Sequence, residues 1–445
     1  MNILMAHFRV GETDGVSLEM DKWKLQLEKM GHNVNYLAGS SGNTNAIIIK
    51  ELDFRTEKNV MFFNNCYKEL IDFASDTELV AAIEEYSDML AKKIIEIIYN
   101  NKIDLIIPNN VLSLGLSIPI GTAFTNAIDE TNIKVLCHHH DFHWERKVYQ
   151  KPTSTMVEDY FVKYFPYDKE NIKHAVINNI AKAEVKARKN IDAIVVPNVF
   201  DYMQDTWQED SYNNDLRDKL GIYENDIVVL QATRIADRKA IEIAVDFVAE
   251  LNRNKEQLIN KQLYNGKVFG ANSEIYFVLA GLEEMDEVRI NRLIDKMKSN
   301  NIKYIFANRL FEHSRSNKKG IKKYSLWDAY TISDIVTYPS ILEGWGNQFL
   351  EAIFARKPQI VYEYPVYKTD ISLFNFNVIS LGDQYLIDNN GLYYVDEQII
   401  TRASHEALEL LTNKDLYQAT TSKNFNIAKE ELSYEKLYEI LNKIV

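Results

Sequence analysis

The sequence alternates short β-branched runs with longer helical patterns, and after a polar interruption it repeats that alternation. In the first half, the runs that predict buried strands occupy residues 3–6, 34–38, 104–108, 133–137 and 193–196. The helical patterns between them occupy residues 17–30, 78–100, 114–130 and about 169–189. Parallel strands need a connection as long as a helix, so the alternation predicts an α/β fold with a parallel, doubly wound sheet.

A second set of strands is predicted after the polar stretch 204–217, at residues 227–231, 275–280, 302–306, 335–338 and 358–362. At 445 residues, the chain is also too long for one ordinary domain. We therefore expect two Rossmann-like parallel-sheet domains, residues 1–200 and 201–424, facing each other across a cleft. The helix predicted at about 425–445 is a candidate to pack back on the first domain.

The charge balance of the chain limits the kinds of molecule that it is expected to bind. Lys and Arg number 51 against 64 Asp and Glu, a formal net charge of −13, which argues against binding to nucleic acid. The two cysteines, Cys66 and Cys137, are far apart in the chain and predict no disulfide framework. The apolar stretch 103–124 is interrupted by Asp104 and two prolines, so no transmembrane segment is predicted. We expect a cytoplasmic protein, with room for peripheral membrane contact at one patch.

Two glycines stand where a predicted strand passes into a predicted helix, in the segment Glu343-Gly344-Trp345-Gly346-Asn347. Glycine lets backbone N–H groups approach a ligand, and a helix N-terminus attracts an anion. Glu351 follows one turn into the helix, and its carboxylate can accept two hydrogen bonds from vicinal hydroxyl groups. The segment therefore predicts a site for a diphosphate bearing sugars. The residues alone leave open a capping loop followed by an amphipathic helix with one exposed Glu.

With the Leu350-Glu351-Ala352 that follows, this segment resembles the E-x7-E motif of the family 4-type retaining glycosyltransferases, which have the GT-B fold. The resemblance implies that Glu343 contacts the transferred sugar and that Glu351 binds the ribose hydroxyls of the nucleotide. It places Gly346 and Asn347 near the sugar and the diphosphate. Gly344 and Trp345 complete the donor-binding loop.

A basic turn lies upstream, where Arg234 and Lys239 follow a predicted strand and open a helix. Two fixed cations at such a turn can neutralise the charge on a departing nucleoside diphosphate. These residues match the basic pair of the same family, but Thr233 and Ala240 stand where that family usually has glycine. The simpler interpretation is a solvated helix start. In the first domain, Gly15 partly matches the family's glycine-rich loop, and a plain Asp-Gly turn remains the alternative.

Four of the nine histidines fall between residues 138 and 143. Zinc is the first competing idea, since imidazole is a preferred ligand. Consecutive strand residues point to opposite faces, however, so at most two of these histidines could converge on one ion. No second Cys/His group of convincing spacing completes a site, and we predict no metal.

By the resemblance, His140 matches the histidine that the family places near the donor sugar, and it is followed by Asp141 as in the family's His-Asp pair. The rest of the polar run supplies candidates for the acceptor side: His138, His143, Trp144, Glu145 and Arg146. Histidine suits this task because it can donate and accept hydrogen bonds to sugar hydroxyls.

Together these features predict retaining transfer of a hexosyl group from a UDP-glucose- or GDP-mannose-type donor to a hydroxyl group of a small-molecule or glycan acceptor. The proposed catalytic residues are Arg234, Lys239, Glu343 and His140. No convincing Asp-x-Asp element stands at the end of a strand to hold a divalent cation. This fits the resemblance to the GT-B group, in which protein cations and helix ends replace the metal, so the nucleotide sugar is the only co-substrate expected. The alternatives are a nucleotide-sugar epimerase, a sugar phosphorylase and a non-catalytic paralogue.

Overall fold

Each half of the chain builds its own parallel sheet in this computed structural model, which describes residues 1–12, 14–318 and 320–445. Clustering of contacts separates two units, Met1–Asn198 with Tyr434–Val445, and Val199–Ser433. The prediction of two parallel-sheet α/β domains is therefore confirmed. Among the described residues, none of the helices combines the length and the hydropathy that crossing a bilayer requires.

The first unit contains a seven-stranded sheet. Its strands are β1 (Asn2–Ala6), β2 (Asn33–Ala38), β3 (Ile47–Ile48), β4 (Leu105–Pro108), β5 (Lys134–His139), β6 (Ile172–Val176) and β7 (Ala193–Val195). They lie in the order β3-β2-β1-β4-β5-β6-β7, and every pair is parallel. The order reverses between β1 and β4, and loops at the carboxyl ends of the strands on either side of such a point form ligand sites in sheets of this kind.

Helices connect these strands: α1 (Gly15–Lys29), α2 (Glu57–Tyr67), α3 (Asp76–Asn100), α4 (Ile118–Thr131), α5 (Thr155–Tyr164) and α6 (Asn179–Lys189). The main core of this unit packs the apolar faces of α2, α3, α4 and α5 against the sheet. The C-terminal helix, Tyr434–Ile444, also belongs to this unit, where Lys173 Nζ donates to the carbonyl of Ile444 at 2.8 Å.

The second unit contains a six-stranded parallel sheet in the order β10-β9-β8-β14-β15-β16. In chain order its strands are β8 (Ile227–Gln231), β9 (Ile275–Leu279), β10 (Lys303–Phe306), β11 (Phe311–Glu312), β12 (Ser316–Lys318), β13 (Ile321–Ser325), β14 (Ile335–Tyr338), β15 (Gln359–Val361), β16 (Ile379–Ser380), β17 (Leu386–Ile387) and β18 (Tyr393–Tyr394). Strands β11, β12 and β13 form a separate small sheet, and β17 pairs with β18. The basic turn and the predicted donor loop follow β8 and β14, which are neighbours.

The helices of this unit are α7 (Leu216–Leu220), α8 (Ile241–Arg253), α9 (Glu287–Ser299), α10 (Leu326–Ile332), α11 (Asn347–Phe354), α12 (Glu397–Thr412) and α13 (Lys414–Glu431). Helix α11, which follows the predicted donor loop, buries its apolar residues Phe349, Leu350 and Phe354. This packing anchors the helix, so its N-terminus has a fixed position at the carboxyl end of β14.

One predicted helix is wrong. Residues 169–189 form strand β6 followed by helix α6, rather than one basic helix. The strand is hard to recognise because Lys173 and His174 interrupt its apolar residues, although His174 is buried against β5. The small sheet of β11, β12 and β13 was not predicted either, since its residues are mostly polar.

Ala240, directly before α8, has a left-handed conformation with φ 44° and ψ 46°. That conformation costs an L-residue about 1–2 kcal/mol, whereas glycine adopts it freely. In the middle of α8, Ala244 is equally buried but helical, and glycine there costs about 1 kcal/mol. We expect Ala244→Gly to lower the free energy of unfolding more than Ala240→Gly does. The difference between the two variants should be at least about 1 kcal/mol. Urea unfolding of the two variants measures the difference, and equal losses would contradict the assigned backbone conformation.

Candidate functional site

The loop between β14 and α11 depends on glycine at position 346. Gly346 has φ +138°, a region that side chains rarely adopt, and an added Cβ would lie 2.5 Å from Tyr364 Oη. That hydroxyl donates to the carbonyl of Trp345 at 2.5 Å. Gly346 is also the N-cap of α11, and it contributes no capping side chain to the helix. The indole N–H of Trp345 is buried and has no hydrogen-bond partner among the described residues.

The basic turn after β8 meets this loop through Glu343. Lys239 ends a short helical turn, Asp237–Lys239, and its ammonium group forms an ion pair with Oε1 of Glu343. Nη1 of Arg238 donates to Oε2 of the same carboxylate at 2.9 Å. The residues are about a hundred positions apart in sequence, but β8 and β14 are adjacent strands, so their carboxyl-terminal loops meet.

The Glu343–Lys239 pair is buried, with side chains 9% and 3% exposed. Burial alone would raise the pKa of Glu343, but Lys239 and Arg238 outweigh it and hold that pKa below its usual value. Burial lowers the pKa of Lys239, and Glu343 partly offsets this effect. Lys239 and Arg238 are two cations that face one carboxylate. The three side chains together therefore carry a net positive charge.

Arg234 lies elsewhere on the same turn. Its Nη1 pairs with Glu284 Oε1 at 2.8 Å, and its side chain is half exposed. The second cation on Glu343 is Arg238, which sequence reasoning did not select. Ala240 follows in the left-handed conformation, so the turn keeps a backbone suited to glycine although it has alanine.

Glu351 lies one turn inside α11, where its Oε2 accepts a hydrogen bond from the buried Tyr330 hydroxyl at 2.9 Å. The side chain is partly accessible. Gly344 is exposed, and Asn347 is the first residue of α11. The loop and the helix start therefore place Glu343 and Glu351 on one continuous segment. Tyr330 fixes one carboxylate oxygen of Glu351, and sequence reasoning had no signal for it.

In the first unit, Gly15 is the first residue of α1 and Asp14 is its N-cap. Asp14 Oδ1 accepts from the backbone N–H of Val16 and Ser17, at 3.1 and 3.2 Å. Apart from its chain neighbours and the backbone of its own helix, no atom of the described residues lies within 4 Å of a Cβ added to Gly15. The geometry is that of a capped helix start with open space at the glycine.

The histidine run divides between the two faces of β5. His138 is fully buried, stacks on Trp23 at 4.0 Å and contacts Asn109 Oδ1 through Nδ1 at 2.9 Å. His139 points to the other face, where its Nε2 lies 2.9 Å from Nδ1 of His174 on β6. Both rings are therefore inside the unit and make internal hydrogen bonds.

His140 is the first residue beyond β5. Asn110 Oδ1 accepts from its backbone N–H at 2.7 Å and from that of Asp141 at 3.2 Å, which fixes the turn. Burial, with a smaller effect of His7, lowers the pKa of His140 to about 3, so the ring is neutral. Its Nε2 has no hydrogen-bond partner among the described residues.

The following loop packs through its aromatic residues. His143 stacks on Phe161 at 4.2 Å, and burial lowers its pKa to about 4. Trp144 donates to Glu184 at 2.6 Å. Glu145 accepts from the backbone N–H three residues upstream, and the half-exposed Arg146 pairs with Asp141 at 2.9 Å.

Among the described residues, one group of side chains could hold a metal ion: Cys137, His139 and His174, all buried. The prediction that no further Cys or His completes a cluster with the histidine run is therefore wrong. His174 lies in β6, the strand that was mistaken for part of a helix.

Known glycosyltransferases resemble this chain in sequence and in fold. A sequence model of the family "Glycosyl transferases group 1" matches residues 213–376. The mannosylglucosylglycerate synthase of Petrotoga mobilis is 38% identical over 96% of this chain and 97% of its own. That of Thermotoga maritima is 39% identical over 100% of both chains. The structure of a sucrose-phosphate synthase from Thermosynechococcus elongatus superposes with a TM-score of 0.57 at 12% identity, covering 100% of this chain and 98% of that one, a likeness of fold alone.

The two α/β units, the loop matched by the family model and the full-length similarity to two synthases lead to one conclusion: this chain is an enzyme of the group 1 glycosyltransferase family, with the GT-B fold.

Proposed function

We propose that the enzyme transfers a mannosyl group from a nucleoside-diphosphate mannose to a hydroxyl group of glucosylglycerate, with retention of the anomeric configuration. GDP-mannose is the first donor to test, and UDP-glucose is the alternative. The acceptor follows from the product named for both relatives, and their similarity extends over nearly the whole chain. Glucosylglycerate is a small sugar with one carboxylate.

The observation that carries the proposal is the net positive charge of the three side chains Lys239, Arg238 and Glu343. Breaking the bond between the sugar and the diphosphate leaves negative charge on the departing phosphate. Lys239 and Arg238 are held by Glu343 before any substrate binds, so they need little rearrangement to stabilise that charge. The N-terminus of α11 adds a partial positive charge at the same loop.

Each member of the loop has a distinct role in the proposal. Glu343 accepts hydrogen bonds from hydroxyls of the transferred sugar through the lone pairs that its two cations leave open. Glu351 has one oxygen fixed by Tyr330 and binds the ribose hydroxyls with its remaining acceptor capacity. The buried N–H of Trp345, which has no partner in the described part of the chain, is a further donor for the substrate. Arg234 reaches the diphosphate by leaving its exposed pair with Glu284.

The chemical step needs no protein nucleophile. The acceptor oxygen bonds to the anomeric carbon on the face from which the diphosphate departs. The departing phosphate oxygen then takes the acceptor's proton, and the products are the mannoside and a nucleoside diphosphate. The protein cations stabilise that oxygen, so no divalent metal takes part in the proposed step.

In this proposal the first unit supplies His140, near the donor sugar, and further residues on the acceptor side. His140 is neutral, and its Nε2, for which the described residues offer no partner, can exchange hydrogen bonds with a sugar hydroxyl. Arg146 is half exposed, and its guanidinium can bind a glycerate carboxylate in addition to Asp141.

We expect the purified enzyme to release nucleoside diphosphate from GDP-mannose only when glucosylglycerate is present. Release in the absence of an acceptor would favour an epimerase or hydrolase, and release of sugar phosphate on addition of inorganic phosphate would favour a phosphorylase. A chelator added immediately before the assay should leave the initial rate unchanged. A rate that falls and recovers with Mg²⁺ would contradict metal-independent transfer.

We expect Glu343→Gln and Lys239→Met each to lower turnover at least a hundredfold, about 2.7 kcal/mol of transition-state stabilisation. Each change removes one half of the pair that orients the cations. The control is Lys255→Met, which breaks another Lys–Glu pair of the same unit, 2.6 Å long and partly exposed. Circular dichroism checks that each variant is folded. Near-normal turnover in a folded Lys239→Met enzyme would exclude the assigned role.

We expect Arg146→Ala to raise the KM for glucosylglycerate about tenfold or more, since a hydrogen bond to a charged group contributes about 1.5–3 kcal/mol. The KM for glucosylglycerol, the neutral analogue, should change little. Lys186→Ala removes an exposed cation of the same unit and serves as the control. Equal increases for the charged and the neutral acceptor would show that Arg146 does not recognise the carboxylate.

A further inference from the structure

The sheet of the first unit brings together three metal-ligating side chains that the proposed reaction does not use. Cys137 and His139 are two residues apart on β5 and point to the same face. The register of the parallel strands pairs Cys137 with His174 on β6. The thiol sulfur and one nitrogen of each ring all lie within 4.8 Å of one another, and the three side chains are at most 2% exposed.

The hydrogen bonds around His174 orient its ring as a ligand. Its Nε2 lies 3.2 Å from Oδ1 of Asp168, a half-exposed carboxylate that accepts the ring N–H. The lone pair of His174 is then on Nδ1, which faces His139 Nε2 at 2.9 Å. A carboxylate behind a histidine is the usual outer partner of a zinc ligand, since it fixes the tautomer and makes the other nitrogen a better donor.

Burial favours the neutral form of both rings. It lowers the pKa of His139 and of His174, so both imidazoles are neutral and can offer a lone pair. His139 Nδ1 is buried without a hydrogen-bond partner among the described residues. Cys137 forms no disulfide and lies in the interior of the sheet.

We propose that Cys137, His139 and His174 bind one Zn²⁺ ion in the first unit, separate from the sugar-transfer chemistry. One thiolate and two imidazoles suit Zn²⁺ better than Mg²⁺ or Ca²⁺, which prefer oxygen ligands. The two nitrogens now 2.9 Å apart need to separate by only a few tenths of an ångström to straddle an ion at about 2.0–2.1 Å. The thiolate and Asp168 together balance the charge of the ion.

Binding releases one proton to solvent, that of the Cys137 thiol. His174 keeps its proton on Nε2, against Asp168. The proton of His139 moves from Nε2 to Nδ1, so both rings remain neutral. The ion ties β5 to β6 at their carboxyl ends, immediately before His140. In this proposal the ion holds the turn that carries His140, with a water molecule as its fourth ligand, and it contacts neither donor nor acceptor.

Cobalt provides a direct probe because Co²⁺ bound to a thiolate absorbs in the near ultraviolet and gives intense visible bands in a tetrahedral site. The full-length enzyme, stripped of metal, is titrated with Co²⁺ and then with Zn²⁺. We expect one equivalent of Co²⁺ to produce both sets of bands, Zn²⁺ to remove them, and Zn²⁺ to raise Tm. Absence of the thiolate band in the wild-type enzyme would overturn the proposal without reference to any variant.

Three variants test the ligand assignment. Cys137→Ser should abolish the near-ultraviolet band, whereas Cys66→Ser, which changes the other buried free cysteine, should preserve it. Asp168→Ala changes a half-exposed residue and should weaken cobalt binding about 10- to 100-fold. If Cys137→Ser does not fold, the Cys66→Ser and Asp168→Ala results decide. Loss of the band in Cys66→Ser, or unchanged affinity in Asp168→Ala, would overturn the assignment.

Discussion

The candidate donor site depends on one buried ion pair, between Lys239 and Glu343. Desolvation of two buried charges costs several kcal/mol per ion, and the attraction offsets that cost only when the geometry is good. Here the geometry is set by the sheet, since β8 and β14 are neighbours and their loops must meet. Arg238 adds a second donor to the same carboxylate. The loops are therefore oriented by the fold, before a substrate contributes any binding energy.

Contacts outside the ion pair set the form of the loop around it. Gly346 must be glycine because Tyr364 occupies the space of a side chain, and Tyr364 in turn holds the carbonyl of Trp345. These contacts are made by Tyr364, a buried aromatic residue beyond β15, and not by the polar residues of the motif. The geometry of this short polar segment is thus set in part by a buried tyrosine that lies outside it.

The sequence predicted the two sheets because their strands are short, apolar and separated by helical patterns, as in 227–231 and 335–338. It predicted the loop around Glu343 and the basic turn, but it selected Arg234 there and not Arg238. Neighbouring residues on a turn point in different directions, and only the structure shows which one reaches Glu343. The cluster of Cys137 and His174 was missed for a related reason, because the register between β5 and β6 cannot be known when β6 is mistaken for helix.

Because side chains alternate between the two faces of a strand, those of β5 and of the residue after it lie in three different environments. His138 packs against Trp23 on one face, and Cys137 and His139 belong to the cluster on the other. His140 begins the turn that follows the strand. The whole chain carries a net charge of −13, so at long range it repels both a diphosphate and a glycerate carboxylate. At physiological salt this repulsion is screened beyond about 8 Å. Direct contacts between the substrate anions and Lys239, Arg238 or Arg146 are not screened in this way. An acidic enzyme can therefore recognise anionic substrates, provided that its few cations are fixed where those anions must lie.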